Sequence, residues 1–87
     1  MATGDVVRTQ RVDRYHVEIN HGRGWAQIHP PGWEHTTLLT MARSYASQVA
    51  ADHPGSAVRI VRTTVSQVTT LRTGRVSEVE TGTAIVA

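Results

Sequence analysis

Apolar and polar residues alternate from Asp13 onward. Tyr15, Val17 and Ile19 fall on one side of the chain, and His16, Glu18 and Asn20 on the other. A period of two marks a half-buried strand. After Asn20-His21-Gly22-Arg23-Gly24, the segment Trp25-Ala26-Gln27-Ile28-His29 reads as the returning strand. A tight hairpin with His21-Gly22 at its centre sets Val17 against Ala26, Tyr15 against Ile28, Glu18 against Trp25 and His16 against Gln27. That register gathers Tyr15, Val17, Ile19, Ala26 and Ile28 on one apolar face. Pro30-Pro31-Gly32 ends the second strand, because proline cannot supply ladder donors.

Residues 36–52 change period. Leu38, Met41, Ala42, Tyr45 and Val49, joined by Leu39 and Ala46, recur at helical spacing and predict a helix with one apolar stripe. Thr36 or Thr37 serves as N-cap, His53-Pro54-Gly55 closes the helix, and Trp33 packs back on its first turn as a hydrophobic staple. Ala57–Arg62 then reads as a strand. Val61, Val65, Val68 and Leu71 fit a helical spacing as well, but Thr63, Thr64, Thr69 and Thr70 favour a strand. Thr73-Gly74 turns the chain so that Arg75–Glu80 returns antiparallel, Leu71 meeting Val76 on one face and Val68 meeting Val79 on the other. Arg72 would then face Arg75, a like-charge pair that works against the tight version of this turn. Such a hairpin has no single apolar face. It must be covered on both sides, held loosely or paired with another chain.

The expected fold class is therefore α+β, a small antiparallel ββαβ sheet extended to ββαββ by the last strand, with one helix on one face. Residues 1–12 carry no clear pattern and read as a flexible arm. Residues 13–80 form the single domain and 81–87 a tail, in which Ala84-Ile85-Val86 offers a strand to a partner.

Composition narrows the chemistry. The 87 residues, 9.5 kDa in all, hold one core at most. The absence of cysteine excludes disulfides and thiol catalysis. No apolar run is long enough to span a membrane, and the first residues lack the basic-then-apolar order of a signal peptide, so a cytoplasmic location is expected, or a virion-associated one for a phage protein. All nine basic residues are arginine, against seven acids, giving a formal charge of +2. They are scattered along the chain, whereas nucleic-acid binders concentrate theirs on one face.

The alternation places Arg14, His16, Glu18, Trp25, Gln27 and His29 together on the sheet face away from the helix, the candidate binding surface. A tryptophan among polar groups there makes a platform of large area and low entropy cost; alternatively, the C-terminal segment folds over that face and Trp25 is a core residue. Trp25 and Arg14 could stack unpaired bases, although Glu18 on the same face opposes this. His16, His29 and Glu18 are of the types that ligate zinc or move protons, but no ligand spacing, phosphate loop or nucleophile motif accompanies them. The reading is therefore of a chain with no cofactor, metal or catalytic residue.

Tyr15-His16-Val17, Gly24-Trp25-Ala26, Ala42-Arg43 and Thr73-Gly74-Arg75-Val76 resemble the pattern of an uncharacterised family of small bacterial strand–strand–helix–strand–strand proteins. The likeness spans roughly residues 15–76, and the present chain has a longer stretch between its third strand and the Thr-Gly turn. The chain is also similar to orphan proteins of actinobacteria and their phages. The resemblance implies the ββαββ layout and a phage or actinobacterial source, and carries no activity. The residues point to a non-enzymatic protein-binding or assembly module. Its partner would be another protein chain, with self-association through the Thr/Val-rich C-terminal half; nucleic acid is the rival partner.

Overall fold

A computed structural model describes residues 6–86. Strand β1 (Val7–Asn20) leads into β2 (Trp25–Ile28), helix α1 (Leu39–Asp52), β3 (Ala57–Thr70) and β4 (Arg75–Ile85). They form one antiparallel four-stranded sheet in the order β2-β1-β3-β4, with the helix against β1 and β3. The expected α+β class and ββαββ order are those observed.

Both hairpins differ from expectation by the same amount. In the first, Val17 faces Ile28 and Ile19 faces Ala26, a two-residue slide from the tight register. In the second, Thr70 faces Arg75, Thr69 faces Val76 and Val68 faces Ser77, again a slide of two. Each tight turn is replaced by a four-residue loop. In His21–Gly24, the Asn20 Oδ1 accepts from the Gly22 and Gly24 amides at 2.7 and 3.3 Å, a local closure open to asparagine. Gly22 and Gly24 stand at φ 102° and 104°, where a side chain would be strained. In Leu71–Gly74, the Gly74 amide donates to the Thr70 carbonyl at 2.7 Å. The longer loop also removes the Arg72–Arg75 opposition that the tight turn would have imposed.

The strands outrun the expected domain limits. β1 begins at Val7, inside the segment expected to be a flexible arm; residues 1–5 of that arm lie outside the described residues. Its outer half is a strand because Val7–Asp13 pair with Thr70–Thr64 of β3, and long-range pairing overrides a weak local pattern. β4 likewise runs past Glu80 to Ile85 on the chain's own β3, with a bulge where Thr64 faces Gly82 and Val65 faces Glu80. The expected tail is therefore mostly strand; Ala87 lies outside the described residues.

The helix starts later than its pattern suggested. Thr36 is held at the β1 edge, exchanging backbone bonds with Tyr15 at 2.7 and 2.9 Å, so the chain must leave the sheet before it can coil. Leu38 becomes the N-cap without a side-chain cap, and the Thr36 hydroxyl accepts from its amide at 3.1 Å. The buried stripe is accordingly Leu39, Ala42, Ala46 and Val49 with Tyr45, while Leu38 and Met41 stay exposed. Trp33 packs edge-on against Tyr45 with ring centroids 5.5 Å apart, beyond the first turn where a staple would sit.

Val17, Ala42 and Ile60 form the centre of the core, flanked by Tyr15, Ile28, Leu39, Tyr45, Ala46, Val58 and Val86. Val61 and Val65 are buried on the other face, where register sets them between His16 and Ile85 and between Val12 and Glu80. The part of the core that the helix covers occupies one end only. A 14-residue helix extends ~21 Å and a 14-residue strand ~46 Å, so a three-stranded ribbon of β1, β3 and β4 projects past α1. The molecule measures 59 × 22 × 17 Å and its radius of gyration is 17.0 Å, against roughly 12 Å for a compact chain of this length.

Candidate functional site

The face away from the helix carries a chain of paired side chains. Glu18 lies between Gln27 on β2 and Arg59 on β3 in the ladder. Its Oε2 meets the His16 Nε2 at 3.0 Å, and its Oε1 takes the Arg59 guanidinium at 2.7 Å. The same guanidinium lies over the Trp25 ring, 4.0 Å from its centroid, a stacked cation on an aromatic face. His16, Glu18, Arg59 and Trp25 therefore form one continuous array across three strands. Trp25 keeps 39% of its surface exposed.

By register Arg14, His16, Glu18, Trp25 and Gln27 all lie on this face, with His29 just past β2, but three of the six take separate partners. Arg14 is drawn toward the ribbon, where it pairs with Glu78 of β4, its Nη1 donating at 3.1 Å. Gln27 turns its amide to the Glu34 carbonyl at 3.1 Å, and the His29 Nδ1 lies 3.0 Å from the Pro30 carbonyl just past β2. No three His, Cys, Asp or Glu among the described residues are grouped to hold a metal, so His16, Glu18 and His29 do not form a ligand set. Arg59 and Glu78 were absent from the expected site. Arg59 was within reach, since it alternates with Val58 and Ile60 and must face away from the helix. Glu78 needed the β3–β4 register.

Burial opposes the charge on Glu18, but the bonds to His16 and Arg59 outweigh it and hold the carboxyl below its ordinary value of 4.5. Arg14 and then Gln67 lower Glu78, and the Thr64 hydroxyl followed by Arg11 lowers Asp13. With depressed folded-state values, these carboxylates stabilise the fold above their ordinary values of 4.5 and 3.8, and the contribution disappears as pH falls through the lower folded values. Urea midpoints are thus expected to hold between pH 7 and about 5 as far as these groups are concerned, then to fall in more acid solution. Glu18→Gln should flatten that fall; an unchanged acid limb in the variant would contradict the assignment.

Chemically, Glu18 spends both oxygens on structural partners, and Arg14 and Arg59 are neutralised by acids of the same sheet. The array fixes the orientation of an indole, with the Glu18 carboxylate and the Arg59 guanidinium both already engaged. Elsewhere, an open groove of about 360 Å3 lies between α1 and the start of β3, lined by Arg43, Ala46, Ser47, Ala50, Val58 and Ile60 with the Arg59 stem. No described helix is long and apolar enough to cross a membrane. No protein-family model, curated protein or solved structure matches this chain.

Proposed function

We propose that this chain is a small non-enzymatic protein-binding or assembly module whose working surface is the uncovered ribbon and its β4 edge. The observation that carries the reading is the shape. The chain exposes 6009 Å2, roughly 1,000 Å2 more than the ~5,000 Å2 expected of a compact monomer of this mass. That excess is comparable to the ~800 Å2 that one partner contributes to an interface of standard size.

The exposed material is of the right kind. β4 has no buried residue, and Val76, Val79 and Ile85 are 54, 60 and 55% exposed. Val76 pairs with Thr69 and Val79 with Ser66, so the two valines lie on opposite faces and no single helix could cover both. Its outer edge presents a row of backbone donors and acceptors suited to strand addition. The opposite edge is β2 only at the helix end, where the strand is four residues long and followed by two prolines, a combination that blocks pairing. Along the ribbon it is residues 7–14 of β1, which carry Arg8, Arg11 and Arg14, charges of the kind that keep an edge from pairing. Light scattering of the purified, nuclease-treated protein is expected to show a species larger than 9.5 kDa. A stable monomer would overturn the proposal.

A further inference from the structure

We propose that the strand added to β4 is β4 of a second copy, antiparallel, about a twofold axis passing between Glu80 and Thr81. This rests on the assembly reading above and names its partner. A twofold that makes two edge strands antiparallel runs perpendicular to the sheet. Each face then continues into the same face of the other copy, and paired residues must point to the same side.

The bulge decides which registers meet that condition. Val76, Glu78 and Glu80 pair with Thr69, Gln67 and Val65, while Thr83 and Ile85 pair with Thr63 and Val61; all five face away from the helix. Ser77 and Val79 pair with Val68 and Ser66, and Gly82 and Ala84 with Thr64 and Arg62; these four face its side. Thr81 is the extra residue, its hydroxyl donating to the Thr64 carbonyl at 3.2 Å. In an unbulged strand, a twofold between two residues would set opposite faces against each other. Here the bulge restores agreement, and the proposed axis pairs Val76 with Ile85, Ser77 with Ala84, Glu78 with Thr83 and Val79 with Gly82.

Charge removes the near alternatives. An axis through Glu78 or Glu80 sets that carboxylate against its own copy, and an axis through Val79 sets Glu78 against Glu80. Opposed like charges destabilise a sheet pair. Moving the axis to the Thr81–Gly82 boundary sets Ile85 against Glu78 and leaves Val76 without a partner. The proposed register uses the whole strand, opposes no like charges and matches the two exposed apolar residues of the face away from the helix. The product is a continuous eight-stranded sheet, twice the four strands of one copy, with a helix toward each end.

The chain has no cysteine, so crosslinks can be placed freely. Val76 and Ile85 stand nine residues apart on one strand, roughly 30 Å, too far for a bond within one chain. Under mild oxidation the double variant Val76→Cys/Ile85→Cys is expected to give a covalent dimer. Val76→Cys/Val79→Cys should give none while light scattering still reports a dimer. Val76→Lys, at an exposed position, should keep the circular dichroism of the parent and weaken the dimer about tenfold, since symmetry repeats the lost pair. A dimer crosslinked by the second pair instead, or one untouched by Val76→Lys, overturns the register and leaves the assembly reading standing. A stable monomer of the parent chain overturns both.

Discussion

Ile60→Ala is expected to lower the unfolding free energy by about 2–4 kcal/mol, enough to leave a chain of this size with little or no stability. Ile60 is 3% exposed, lies opposite Val17 in the ladder and contributes to the cluster centred on Val17 and Ala42. Truncation would remove its transfer energy and leave a void that the flanking ladder prevents from closing. Its carbonyl also receives the Val86 amide at 2.8 Å, so a shift of β3 here would loosen the end of the last strand. Val79→Ala, on a residue 60% exposed, should change the monomer's stability by less than about 0.5 kcal/mol. Urea unfolding of both variants checks the pair. Equal losses would mean that the ribbon is covered within the monomer and that the helix-covered part of the core is not confined to one end.

Ala42→Leu should cost about 1–3 kcal/mol although it adds apolar volume. Ala42 is wholly buried with Val17 and Ile60, and its small side chain sets how closely the helix approaches the sheet. Extra carbons must either force strained rotamers or lift α1 from β1 and β3. Met41→Leu, one position away and 40% exposed, should be nearly neutral. A thermal melt in which Ala42→Leu matches or exceeds the parent would show that the helix-sheet contact holds a cavity there.

Why these residues were partly legible follows from what alternation measures. Val17 and Ile19 could be placed on the core face, and Val76 and Val79 on opposite faces, because side chains in a strand repeat every two residues. A slide of two leaves that pattern unchanged, so it carried no information to distinguish Val17–Ala26 from Val17–Ile28 pairing. The loops held that information. Asn20 capping two glycine amides and the Arg72–Arg75 conflict both favour four-residue connections, and each was present in the sequence. The outer half of β1 was less legible for another reason. Val7, Thr9, Arg11 and Asp13 show no amphipathic contrast because neither face of the ribbon meets the helix. At the candidate site, His16, Glu18 and Trp25 followed from parity alone, while Arg14–Glu78 depended on contact between strands 64 residues apart in sequence.

The ribbon that outruns the helix has a topological consequence as well. Asn20 pairs with Ala57 and Val7 with Thr70, so the innermost β1–β3 contact closes a separation of 57 − 20 = 37 residues and the outermost one of 70 − 7 = 63. Because closure entropy grows with the logarithm of loop length, zipping from the first pair to the last adds only about 0.5 kcal/mol of closure cost. Nearly all of that cost falls on joining the helix end, and each further rung of the ladder extends a loop already closed. For this topology, the reach of the ribbon is therefore almost independent of the entropy of connecting it.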